Sequence, residues 1–331
     1  MLKQVSKKPE NTINFDSINY KELITSMLTE PGTISKVYSA FYTYSFQNQC
    51  LAIWQLQHMG LNITPVLPKS KWAEKGRTVK EDATPICLCQ PRQVKYEKEE
   101  LDTETNEKVK KQYCFTKFIY SPVWYSLEQT TGDDLSNEKV SIPNFDFDKV
   151  TEKFKITIVP YNSINGNSQG YALVKENKIA INPMGGHKEK TMLHEIAHCL
   201  LKHGDVDYAK DYMITAKFKL EKELKEKYKY NEVTDKKERK ELEAKIKEEI
   251  KNKEFLLRIE SLDYEKSLKE AEAEGVAFII GTILGFSSEQ LSDSRGYIQN
   301  WFSGHKNLPE KNAQNVIRTV DKMLKAGVVK S

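Results

Sequence analysis

Residues 191–203 read TMLHEIAHCLLKH, and this stretch decides the fold of the second half of the chain. On a helix, His194 and His198 stand four positions apart and lie one turn from each other on one face. Two imidazoles so placed can take neighbouring corners of a tetrahedral zinc site. Glu195 sits beside that position and can hold an attacking water as general base. Ile196, Ala197 and Leu200 supply the apolar packing. The chain has only six histidines, and two of them fall at this spacing. Just upstream, GYALVKENKIAIN (170–182) reads as a strand hairpin turning at Glu176-Asn177. An edge strand there would hold an extended substrate beside the metal.

The third ligand has to come from downstream. The extended zinc pattern needs Gly and His three and six residues after the second His, and those positions are Leu201 and Gly204. His203 is off by one and would lie about 140° round the helix from His198. It reads as a supporting or surface residue. The other source is a carboxylate on a second helix. EAEAEGVAFIIGTILGF (270–286) offers Glu270, Glu272 and Glu274, beside an apolar stripe of Ala273, Val276, Ala277, Ile280 and Ile283. Glu272 flanks the stripe one turn before Val276, so it is the expected ligand, with Glu274 second. Zinc on His194, His198 and Glu272 keeps a fourth position for water, and the implied reaction is peptide-bond hydrolysis with Glu195 moving the proton.

Working outward, residues 205–262 are saturated with Lys and Glu at helical spacing and read as an inserted helical hairpin turning near Asn231–Asp235. SRGYIQNWF (294–302) and KNAQNVIRTVDKMLKAG (311–327) are further helices, the last capped by Gly327. FKITIVP (154–160) reads as a strand. In the first half, residues 34–60 form a helix with a break at Tyr44-Ser45. ICLCQPRQVKYEKEE (86–100) and VKKQYCFTKFIYSPVWYS (109–126) flank a polar turn and form a long hairpin. The expected fold is α+β in two domains. Residues 1–140 form the first, with 1–33 a lead-in helix or arm. Residues 141–153 are the linker, and 154–331 form the zincin-like second domain.

The 331 residues carry a formal net charge of +4, which excludes a histone-like polycation but not a local basic surface. Lys69, Lys71, Lys75, Arg77 and Lys80 cluster around Trp72. Cations for phosphates and rings for base stacking are what single-stranded nucleic acid needs. No stretch approaches the roughly 20 apolar residues of a membrane span. The start, MLKQVSKKPENT, lacks an apolar stretch behind its basic residues, so a cytoplasmic protein without a signal peptide is expected. Five cysteines without zinc-knuckle or thioredoxin spacing read as buried free thiols.

With both halves read, the chain resembles the ArdC family of plasmid antirestriction proteins. The likeness rests on FQNQCLAIWQLQ (46–57), on the segment from Trp72 to Ile86 with its AEKGR, and on FIYSPVWYSLEQTTGD (118–133). In the second half it rests on TMLHEIAHCLLKH, EAEAEGVAFIIGTILGF and SRGYIQNWFSG followed by a last helix. The resemblance implies a single-stranded-DNA-binding domain over 1–140, with Lys71, Trp72, Lys75 and Arg77 as contacts. It also implies a metallopeptidase domain with an acidic third ligand in the EAEAE run. The segment 205–262 looks longer and more charged than the family's connection at this point.

Three functions follow. The first is a zinc metallopeptidase brought to DNA by its N-terminal domain, acting on an unidentified protein. The second is a protective single-strand-binding protein with a structural metal. The third is a scaffold whose charged hairpin docks a protein partner.

Overall fold

The computed structural model describes residues 19–30, 33–34, 40, 44–101, 108–134, 142–162, 168–305 and 307–329. The fold is α+β, built from helices and three small sheets. It divides into two compact units, Met1–Leu23 with Glu30–Ser141, and Ile24–Thr29 with Ile142–Ser331. The polar turn 102–107 and most of 35–43 lie outside the described residues. Among the described residues no helix is long and apolar enough to cross a membrane.

Helix α1 (Tyr20–Thr29) stands within the expected lead-in arm. Its Ile24, Met27 and Leu28 are buried in the second unit, and Thr25 donates to Asn307 at 3.0 Å.

The first unit is organised by α2 (Phe46–His58), which starts where the sequence offers a break. The Ser45 hydroxyl accepts from the Asn48 N–H at 3.3 Å and caps the helix. Around it run β1 (Val66–Pro68), α3 (Lys69–Glu74), β2 (Arg77–Val79), β3 (Ile86–Leu101), β4 (Lys108–Ser126) and β5 (Thr130–Gly132). The sheet order β1-β4-β3 leaves β3 at an edge, and two side-chain amides of α2 close it. Asn48 exchanges two hydrogen bonds with the Cys89 backbone, both 2.9 Å. Gln55 does the same at Cys87, at 2.9 and 2.8 Å. Backbone groups of alternate strand residues point to the same edge, so Asn48 and Gln55 occupy the place of a neighbouring strand. Burial pushes the Cys87 thiol up to about 11. Cys50, Cys87 and Cys199 are buried and in no disulfide, while Cys114 is exposed.

The second unit begins earlier than expected. Residues 145–154 are not a linker: α4 (Phe147–Phe154) buries Val150, and Phe145 bridges to Val328. Gly327 is not a left-handed cap but the last residue of its helix. A Cβ there would overlap the Phe145 ring, so close approach is what requires glycine. A three-stranded sheet follows, ordered β6 (Thr157–Ile158), β8 (Lys178–Ile181), β7 (Gly170–Leu173). The expected strand 154–160 pairs over two residues only.

The core is helical: α5 (Lys188–Leu200), the end of α7 (Lys236–Ile283), α8 (Ser292–Gly304) and α9 (Glu310–Gly327). From Ala271 to Gly281 every residue of α7 is buried, Glu272 and Glu274 included. Helix α6 (Tyr208–Lys227) and the first half of α7 form the expected hairpin, packed on Leu220, Leu224, Tyr230 and Ile246. Asp235 accepts from the Lys237 and Glu238 N–H groups, both at 2.9 Å, and starts α7 after the turn. The insertion's second helix and the acidic helix are thus one continuous element of 48 residues.

Candidate metal centre

Helix α5 puts His194 and His198 on one side, as four-residue spacing requires, and their Nε2 atoms lie 2.9 Å apart. The carboxylate that joins them is Glu270. Its oxygens stand 3.3 Å from His194 Nε2 and 3.7 Å from His198 Nε2. Ligands about 2.0–2.1 Å from a tetrahedral zinc are roughly 3.3–3.4 Å from each other. The three observed separations bracket that value, so a donor set of two imidazoles and one carboxylate fits a divalent transition metal here.

The expected third ligand, Glu272, is therefore corrected to Glu270. Successive residues turn by about 100°, so Glu270 and Glu274 share a side of α7 and Glu272 faces away from them. The apolar stripe could not rank the three acids, because this part of the helix buries all its faces. Glu274, expected to point towards solvent, is 3% exposed. Its Oε1 lies 3.2 Å from His194 Nδ1 and 2.8 Å from Lys190 Nζ.

Glu272 has a different task. It accepts from the Tyr208 hydroxyl at 2.9 Å and lies 3.1 Å from His203 Nε2. His203 Nδ1 in turn lies 2.7 Å from His198 Nδ1. Once Nε2 of His198 faces a metal, its Nδ1 carries the proton and donates to His203, whose own Nε2–H donates to Glu272. A buried chain thus fixes the tautomer and plane of one metal-facing imidazole. Helical extrapolation put His203 on the wrong side because the helix stops. Lys202 adopts a left-handed conformation (φ 57°), and the His203 N–H bonds back to His198 O at 3.2 Å. That turn folds His203 back under His198. Lys190 and Tyr208 gave no signal in the sequence.

Three acids, Glu195, Glu270 and Glu274, stand around the centre with Lys190 and the two imidazoles. Burial lowers His194, but its hydrogen bonds to the carboxylates of Glu270 and Glu274 outweigh it and raise the imidazole to about 10. Burial lowers His198 and His203. Burial pushes Glu195 up to about 7. Opposing its own burial, the two imidazoles hold Glu270 far below the usual carboxylate range.

Strand β7 pairs only with β8, and among the described residues its other edge is free. It lies directly on α5 because its first residue is Gly170. A Cβ there would stand 2.8 Å from Thr191 Cγ2 and 3.1 Å from Glu195 Oε1. Two clefts adjoin this edge. One, of about 590 Å³, is lined by Tyr171, His194, Glu195, Glu270 and Tyr297. The other, of about 640 Å³, is lined by Leu173, Lys175, His198, Leu262 and Glu270.

In the first unit, the expected nucleic-acid contacts do not form one surface. Trp72 is wholly buried and its indole N–H donates to Tyr125 O at 2.8 Å, so it cannot stack on a base. Arg77 donates to Thr130 Oγ1 at 2.8 Å and to the Gly132 and Asp133 carbonyls. Lys71 pairs with Glu74 at 2.7 Å. Lys69 is exposed and Lys75 half-buried. A basic and aromatic surface stands elsewhere, on the β3–β4 hairpin. Register places Arg92 opposite Lys117, Val94 opposite Phe115 and Tyr96 opposite Tyr113. Paired residues share a face, and no acid falls on this one between 88 and 98 or between 111 and 121. Tyr96 and Phe115 are 45% and 47% exposed, with ring centroids 5.8 Å apart.

No family model matches the sequence, and no curated protein does. The chain is similar to solved structures of the antirestriction protein ArdC from plasmid R388. The metal-free structure aligns over 93% of this chain and 94% of that one, at 14% identity and a TM-score of 0.37. The Mn(II)-bound structure aligns over 92% and 95%, at 13% identity and a TM-score of 0.39.

Proposed function

We propose that the second unit is a metal-dependent peptide hydrolase and that the first unit holds single-stranded nucleic acid. The hydrolase reading is carried by one convergence. His194, His198 and Glu270 meet within ligand distance, with Glu195 beside them, in a cleft along a free strand edge. Zinc, or another divalent transition metal, would supply Lewis acidity to water and to the scissile carbonyl. Strand β7 offers its outer edge to an extended polypeptide and sets the scissile bond beside the two imidazoles. Glu195 takes the proton of the attacking water and passes it to the leaving amine. Lys190 and Glu274 hold His194 from behind, and the His203–Glu272–Tyr208 chain holds His198.

Glu195→Gln tests the chemistry. It leaves the three ligands in place, so metal stays bound while hydrolysis of a casein substrate falls by about 10²–10⁴. Unchanged hydrolysis in that variant, or a wild-type protein that takes up no transition metal, would defeat the reading.

The nucleic-acid reading rests on the hairpin. Cations placed directly opposite each other in a strand pair repel, and a phosphate backbone relieves that repulsion. The exposed rings between them offer stacking faces. The sequence blocks that resemble the ArdC family add support for a role in protecting incoming DNA on a mobile element. Arg92→Glu together with Lys117→Glu should weaken binding to labelled single strands and reduce the salt slope by about one per lost contact. Trp72→Phe should leave that slope alone. If protection of incoming DNA survives Glu195→Gln, strand binding and not proteolysis is what protects.

A further inference from the structure

The side of α7 that brings Glu270 to the metal centre continues outward as an apolar track. Lys266, Leu262, Ile259 and Phe255 lie four, eight, eleven and fifteen residues before Glu270, and the helical period keeps them on that side. Leu262, Ile259 and Phe255 are 57%, 48% and 72% exposed. This is not the habit of the helix. From Lys236 to Glu254 its large apolar residues, Leu242, Ile246 and Ile250, turn towards the hairpin core, and the exposed positions are polar, charged or alanine. Leu262 is the joint between track and site: it lines the same cleft as Leu173, His198 and Glu270. Lys251, Arg258 and Lys266 border the track with Asp263, and all four are exposed, while Glu265 in the cleft beside Leu262 is paired with Lys269.

We propose that this track is a docking surface for the substrate itself: an apolar polypeptide segment flanked by acidic residues, outside the residues being cut. The inference rests on the hydrolase reading. A chain lying along the free edge of β7 and leaving the cleft beside Leu173 meets Leu262, and beyond it Ile259 and Phe255. The fifteen residues from Glu270 to Phe255 rise roughly 22 Å along the helix, a distance that about six or seven extended residues cover. Apolar side chains at that remove bury the three exposed residues, and acidic neighbours meet the bordering cations.

The test uses full-length Glu195→Gln protein loaded with Zn(II), which separates binding from turnover. The probes are labelled synthetic peptides with a common short core. One set carries a Leu- and Phe-rich extension between Asp and Glu residues, at either end, and the other a Gly/Ser extension of equal length. The apolar set should bind at least about tenfold tighter. Adding Phe255→Ser with Ile259→Ser should erase that preference, with metal content, thermal midpoint and affinity for the Gly/Ser set unchanged. Leu262→Ser alone should weaken it in part. Equal binding of the two sets, or a preference that survives the double substitution, overturns the proposal. So does sedimentation showing that the wild type is a dimer and the double variant a monomer, since the track would then be a self-association face. Failure of wild-type protein to cleave any of these peptides counts against the hydrolase reading, and the binding comparison is scored apart from it.

Discussion

The charged helical hairpin and the buried end of α7 both carry acids and lysines, in very different surroundings. In the hairpin, charged side chains stand in water: Lys219 on α6 pairs with Glu223 at 4.0 Å, with side chains 78% and 59% exposed. At the other end, Glu274 pairs with Lys190 at 2.8 Å, with side chains 3% and 9% exposed. The first kind of pair exchanges hydration for a weak, screened attraction. The second has lost its water and depends wholly on its partner. The acids at this end of the helix are held by specific partners, not by water. Glu270 faces the imidazoles, Glu272 faces His203 and Tyr208, and Glu274 faces His194 and Lys190.

Substitutions can break or sharpen this contrast. The largest effect should come from Glu270→Ala, which removes a donor atom from the centre and should abolish stoichiometric metal uptake, read by elemental analysis after dialysis. If metal uptake survives Glu270→Ala and is lost in Glu272→Ala, the assignment of the ligand is wrong. Next, Lys190→Ala strands a buried carboxylate and should cost about 3–5 kcal/mol in denaturant unfolding. Glu272→Gln and His203→Ala remove support behind His198, and each should weaken metal affinity by about 10–100-fold in a chelator competition. The smallest effect belongs to the hairpin: Lys219→Ala should change stability by less than about 0.5 kcal/mol and leave metal uptake alone. A cost for Lys219→Ala as large as that for Lys190→Ala would dissolve the contrast.

Much of the fold is legible from periodicity. The β3–β4 hairpin, the turn at Glu176-Asn177, helix α5 and the charged helical hairpin all fall where local pattern puts them. The failures share a cause. Trp72 lies among lysines and was expected to face a ligand, yet its neighbours in space are strands, and it fills the core. Residues 141–153 are the expected linker, but within them Val150 and the Phe145 ring pack on the end of the last helix. In both, the deciding contact is with a residue distant in sequence.

The sequence by itself determined that His194, His198 and Glu195 stand together. All three lie within one helical turn, and the chain's covalent geometry fixes their spacing before anything packs. It also determined the hairpin, since Leu220 and Leu224 on one helix and Leu242, Ile246 and Ile250 on the other recur every four residues among charges. Only the tertiary structure decided which of three glutamates reaches the metal position, and that His203 and Tyr208 stand behind it. Those choices depend on the rotation of α7 against α5 and on where α5 stops. Both are set by the packing of many weak contacts across the core, which no short stretch of sequence contains.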